Sequence, residues 1–197
     1  MRPHYSITTQ PAFEPISYDQ AASHLRVDST DDMADIDALI SVAREYVDSV
    51  TGRVSGVTSF KLIGDSWDAL AQSMWRIPLF RAPLVAVQSV KYYPEDGSAQ
   101  VTMSASDYRV ITAMEPGMVE LKDEPPATAE RADAVEINFT AGHSESCAIP
   151  AAHRHAVKVL VAHLYENRGL MDDKSVNEIP FSLQTLINNQ KIGGWIA

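Results

Sequence analysis

Cysteine is nearly absent from the chain: Cys147 is the single one in 197 residues. That excludes an internal disulfide and fits a reducing compartment. Long apolar runs are absent too, and none approaches the roughly 20 residues that a membrane-spanning helix needs. Arg2 is followed by no apolar stretch and no small-residue cleavage site, so no secretory signal is expected. The chain is expected to be made in a cytoplasm and to have no membrane partner. Positive charge is scarce, with 16 Lys and Arg against 26 Asp and Glu and a net charge of -10. Grip on a nucleic-acid backbone comes from Lys and Arg neutralising phosphates, so this balance argues against a nucleic-acid-binding role. Internal repeats and low-complexity tracts are missing as well.

What is present is ordinary globular material. Hydrophobic residues make up 45% and charged residues 21%, and the length suffices for one domain with a sizeable core, with or without an appendage. The charge is uneven. Residues 31–52 hold six acids (Asp31, Asp32, Asp35, Asp37, Glu45, Asp48) against one base, Arg44. Residues 149–197 hold four acids and five bases. An acidic early segment and a near-neutral late one point to different surroundings.

The pattern predicts an α+β fold: a helical bundle from N- and C-terminal helices with an inserted antiparallel β-rich region. Residues 1–14, broken by Pro3 and Pro11, read as a flexible arm. Ser17 with Gln20 three residues on forms a capping box, which predicts a helix over 17–26. Ser29 or Thr30 is expected to cap a second helix over 31–51, with Asp31 and Asp32 beside its positive end. Its Ile36, Leu39, Ile40, Ala43, Val47 and Val50 share one face, and Gly52 is the expected stop. From 54 to 140 the period changes to two. Val57 to Ile63 is an expected strand. Leu84 to Tyr93 and Gln100 to Met103 flank the turn signal Pro94-Glu95-Asp96-Gly97-Ser98. Tyr108 to Ile111 and Met118 to Leu121 flank Glu115-Pro116-Gly117. Val135, Ile137 and Phe139 alternate with polar residues as a strand buried on one face, and Pro78 and Pro83 mark an edge or irregular strand. Pro150 opens a late helix over 150–168 with Val157, Leu160, Val161 and Leu164 on its apolar face. Residues 15–169 thus read as one domain and 170–197 as a C-terminal segment, in which Ser182 caps a short helix bearing Leu183, Leu186 and Ile187.

No motif assembles an active site. His153, His155 and His163 do not converge on one helix face, so a zinc site is not expected and they read as surface or helix-start histidines. Cys147 near His143 or His153 has nothing to activate its thiol. Ser144 and Ser146 lack a nucleophile-elbow context. Asp31, Asp32, Asp35 and Asp37 fit no calcium loop and read as helix-start acids and a solvated face. Gly52-Arg53-Val54-Ser55-Gly56 is too short and Lys-poor for a phosphate loop. No cofactor is expected. Trp195 and Ile196, on a Gly-flanked tail, are the exception. An exposed Trp is costly unless it docks, either on a partner or on its own domain.

Several stretches together carry a family likeness. They are Pro15-Ile16-Ser17 leading to His24-Leu25-Arg26-Val27-Asp28, then Ile40-Ser41-Val42-Ala43-Arg44-Glu45-Tyr46-Val47 and Thr51-Gly52-Arg53. Next come Ile77-Pro78-Leu79-Phe80-Arg81-Ala82-Pro83-Leu84, Ser89-Val90-Lys91-Tyr92-Tyr93 and Asp107-Tyr108-Arg109-Val110. Phe139-Thr140-Ala141-Gly142 and His163-Leu164-Tyr165-Glu166-Asn167-Arg168 close the series. In order and spacing the chain resembles the head–tail connector, or adaptor, proteins of long-tailed bacteriophages, over residues 15 to 190. The resemblance implies a non-enzymatic structural protein of the virion, assembled in the host cytoplasm and sited at the head–tail interface. Copies would form a ring, of twelve, beneath the portal. The ring would extend the channel through which double-stranded DNA passes without specific binding, retain packaged genome, and seat the stopper or tail-completion protein. Carried onto this chain, residues 181–197 are the portal-facing candidates, with Phe181, Leu183, Leu186, Ile187, Trp195 and Ile196 as contacts. That segment is expected to be removable with the fold intact. Asp37, Glu45 and Asp48 are the expected channel lining, since an acidic wall repels DNA and lets it slide. The rivals are a stopper or tail-completion protein of the same channel and, from another class, a small hydrolase or metal-dependent enzyme with a site assembled from distant residues.

Overall fold

Why the second helix forms is visible in its residues. Asp32 occupies its N-cap, the helix runs over Met33–Thr51, and Gly52 ends it in the left-handed conformation at φ 74°. Ile36, Ile40, Ala43 and Val47 recur at helical spacing and are all fully buried. Each large aliphatic among them contributes about 1.5–3 kcal/mol on leaving water. The computed structural model describes residues 4–72, 74–167 and 181–193. Helices and antiparallel sheets together make a mixed α+β protein. Two units are defined by its contacts: Met1–Pro11 with Val57–Gly142, and Ala12–Gly56 with His143–Ala197.

The helical unit contains α1 (Tyr18–Leu25), α2 (Met33–Thr51), α4 (Ala151–Glu166) and α5 (Phe181–Asn188). Both halves of the Ser17–Gln20 capping box are in place at the start of α1. The four helices share one core, to which α1 gives Ala21, α4 gives Val157, Leu160 and Val161, and α5 gives Leu183 and Ile187. Pro150 is the N-cap of α4 and not its first helical residue. Its fixed φ suits either position.

The sheet-bearing unit holds β1 (His4–Thr9), β2 (Thr58–Gly64), α3 (Trp67–Leu70), β3 (Arg76–Leu79), β4 (Leu84–Tyr92), β5 (Val101–Thr102), β6 (Tyr108–Ile111), β7 (Gly117–Leu121) and β8 (Val135–Ala141). One antiparallel sheet has the order β1-β2-β8-β4-β5, the other β3-β7-β6. In β8 burial alternates strictly, as the period of two requires. Phe139 lies directly opposite Phe60 of β2, and the rings stack with centroids 5.5 Å apart. On the other face Glu136 sits between Lys61 at 3.2 Å and Lys91 at 3.7 Å. Burial works to raise its carboxyl, but the Asn138 amide and the two lysines outweigh burial and hold it below its ordinary value. Pro78 falls in β3, an edge strand of the smaller sheet, where a missing N–H is tolerated.

Residues 4–9 correct the expectation of a flexible arm. They pair antiparallel with β2 from His4↔Ile63 to Thr9↔Ser59. Tyr5 anchors the strand: its ring lies edge-on to Phe139 at 6.3 Å, and its hydroxyl accepts the Phe80 N–H at 3.1 Å. Tyr5 and Ile7 are too short an alternation to declare a strand alone; the partner strand decides it.

Candidate functional site

The acidic helix α2 is the natural place to begin, because three of its carboxylates, Asp37, Glu45 and Asp48, were expected to line a channel. Asp37 and Glu45 are exposed. Asp48 does not join them. It turns inward, where its Oδ1 accepts the Ser55 hydroxyl at 2.7 Å and lies 2.9 Å from His153 Nε2, while Oδ2 accepts the Ser55 N–H at 3.0 Å. His153 Nε2 is also 3.1 Å from Ser55 Oγ. Ser55 is fully buried and His153 is 1% exposed; of the two readings of His153, surface or helix-start, the second holds, since it is the third residue of α4, and the first is corrected. Its position was legible: residues 153, 157, 160, 161 and 164 fall on one helical stripe, so the imidazole faces the core with Val157, Leu160 and Val161.

Ser, His and Asp in one cluster invite comparison with a nucleophilic triad, and the geometry excludes one. A triad needs the carboxylate on one imidazole nitrogen and the hydroxyl on the other. Here both partners sit on Nε2, and Nδ1 is buried with no partner among the described residues. The serine proton goes to Asp48 and not to the histidine. The cluster is a polar clasp joining α2, the turn after it, and α4. Removing the imidazole by His153→Ala leaves Asp48 and Ser55 short of a donor in a buried setting. We expect a loss of about 2–3 kcal/mol, read as a lower urea midpoint at unchanged m. A change under about 0.5 kcal/mol would show that the clasp contributes nothing.

A second clasp holds the chain entering α1. Arg44, 7% exposed, donates through Nε to Glu14 Oε2 at 2.8 Å, and Ser41 donates to Glu14 Oε1 at the same distance. Cys147 is exposed, and the Glu145 carboxylate beside it pushes its thiol up, opposite to what an activated nucleophile needs. Among the described residues no group of three or more His, Cys, Asp or Glu is placed to hold a metal ion.

The expected portal contacts divide. Leu183 at 1% and Ile187 at 3% exposure belong to the helical core and are corrected from docking residues to packing residues. Leu186 packs against the same core, half-buried. The Phe181 side chain, Trp195 and Ile196 lie outside the described residues. Beyond α5, Ile192 donates its N–H to Thr51 at 3.0 Å and Arg53 Nε donates to the Gln190 carbonyl at 2.9 Å, so this stretch is tied to the end of α2.

No protein-family model matches the chain, and no curated protein matches it. Solved structures do. A chain in the structure described as the neck of an empty GTA particle, computed with C6 symmetry, aligns at TM-score 0.74 and 20% identity, covering 98% of this chain and 97% of that one. The virion of a native gene transfer agent (GTA) particle gives the same values. The neck of a native GTA particle computed with C12 symmetry gives TM-score 0.66 at 21% identity, with 97% of each chain covered. At this identity the likeness establishes a shared fold along the whole chain.

Proposed function

We propose that this protein is a structural, non-enzymatic component of a virion neck, an adaptor whose copies form a ring between the portal and the stopper or tail. The full-length match in fold to chains of neck assemblies carries the reading. A ring of twelve agrees with the C12 symmetry of one such assembly. The ring extends the DNA channel for genome retention and ejection, with the duplex passing unbound along an acidic wall. Asp37, exposed on α2, is the lining candidate; Asp48 is withdrawn because it is committed to His153, and Glu45 because it shares the exposed Val42–Tyr46 face of α2, which suits contact between copies. Phe181, Trp195 and Ile196 are retained as portal contacts.

Imaging of purified portal particles mixed with this protein tests the reading. A ring docked on the portal's outer end is the expected result. Portals that remain bare at saturating protein would overturn it.

A further inference from the structure

Two surfaces of the helical unit are built to different specifications. On α2, residues 35, 38, 42, 45 and 46 fall within an arc of about 100°, opposite the buried face of Ile36, Ile40, Ala43 and Val47. Val42 is 53% and Tyr46 38% exposed, large apolar groups in water with acids on either side. Asp35 is exposed without an ion-pair partner among the described residues, and Glu45 keeps only a long contact with Arg44 at 3.4 Å. The other surface is a cleft of about 340 Å³ between α1 and α4, lined by Ile16, Gln20, Ala151, Arg154, His155 and Lys158. Its floor is apolar, since Ile16 is packed into the core. Its wall is basic: Arg154 and Lys158 are one helical turn apart, about 6 Å along the axis, and neither has an ion-pair partner among the described residues. Arg154 Nε is buried and unsatisfied.

We infer that the acidic, apolar ridge of α2 in one copy seats in the basic α1–α4 cleft of the next copy. The inference rests on the ring reading above and names the surfaces that make the ring. Charge selects the partner. α2 carries four acids and one base, whereas α4 carries two bases and one acid. Apolar and charged groups occur in matching proportion on both sides: Val42 and Tyr46 against Ile16 and Ala151, Asp35 and Glu45 against Arg154 and Lys158. Asp19 of α1 is exposed and next in sequence to the cleft residue Gln20, one acid against the two bases of the wall. The contact joins two different surfaces, so it is heterologous, the type of contact that builds a ring when its rotation closes. A DNA phosphate is the weaker occupant, because two fixed positive groups on a chain of net charge -10 offer little against a polyanion.

Charge reversal across the contact tests this in the full-length protein. Sedimentation velocity of wild type, Arg154→Glu, Glu45→Arg and the double variant, each checked for helix content by circular dichroism, gives the result. Each single reversal is expected to weaken self-association by at least about tenfold, and the double to recover most of it. Lys158→Glu replaces Arg154→Glu should the latter lose helix content. Rings that persist in both single variants overturn the assigned surfaces and leave the ring reading standing. A wild type that forms no ring, free or on portals, overturns both. Single variants that fail without recovery in the double overturn the pairing. If Arg154→Glu then also loses binding to a short DNA duplex, the cleft is assigned to nucleic acid instead.

Discussion

Replacing Phe139 with alanine is expected to destabilise the sheet-bearing unit by about 3–5 kcal/mol. Phe139 is fully buried on β8, the middle strand of its sheet, stacked on Phe60 and met edge-on by Tyr5. Truncation removes the side chain that three strands share, and a cavity between strands fixed by ladder hydrogen bonds collapses poorly. Total domain stability is commonly about 5–15 kcal/mol, so the variant should sit near the edge of folding. Urea denaturation with an unchanged slope is the measurement. Phe139→Leu, which keeps most of the volume, should lose far less. A loss below about 1 kcal/mol for the alanine variant would mean that the strands close over the gap.

The second large effect lies in α5. Leu183→Ala should cost about 2–5 kcal/mol, because Leu183 is 1% exposed within the helical core. Deletion of residues 181–197 is therefore expected to unfold the helical unit, the opposite of the expectation that the segment can be removed with the fold intact. Loss of portal binding after that deletion would therefore carry no message about docking. Trp195→Ala separates the two effects: helix content and thermal midpoint should hold while portal affinity falls. A deletion variant with the wild-type midpoint would refute the packing role of α5.

Much of the fold was legible because its signals are local. The Ser17–Gln20 capping box, the Gly52 stop and the alternation of β8 each lie within a few residues, and each occurs where the pattern put it. What was illegible depends on partners far along the chain. Asp48 and His153 are 105 positions apart: the helical stripe turns His153 toward the core, but nothing local names Asp48 as its partner, and Asp48 alone reads as an ordinary solvated side chain. β1 needs β2 to become a strand. Leu183, Leu186 and Ile187 show an apolar helix face, and such a face looks the same whether it meets its own core or another protein. The basic cleft escaped notice because Ile16 and Gln20 come from α1 and its approach, whereas Arg154 and Lys158 come from α4.

The division of the chain into alternating segments means that the polypeptide passes between its two units three times, after Pro11, after Gly56 and after Gly142. Neither unit is a continuous stretch of sequence. During synthesis β1 must wait for β2 until both α1 and α2 have been made, and those helices in turn wait for α4. A protease cut at any one crossing frees neither unit, since two other connections remain. The protein is interlaced like a two-stranded splice, so transplanting one unit into another chain would require cutting the other open.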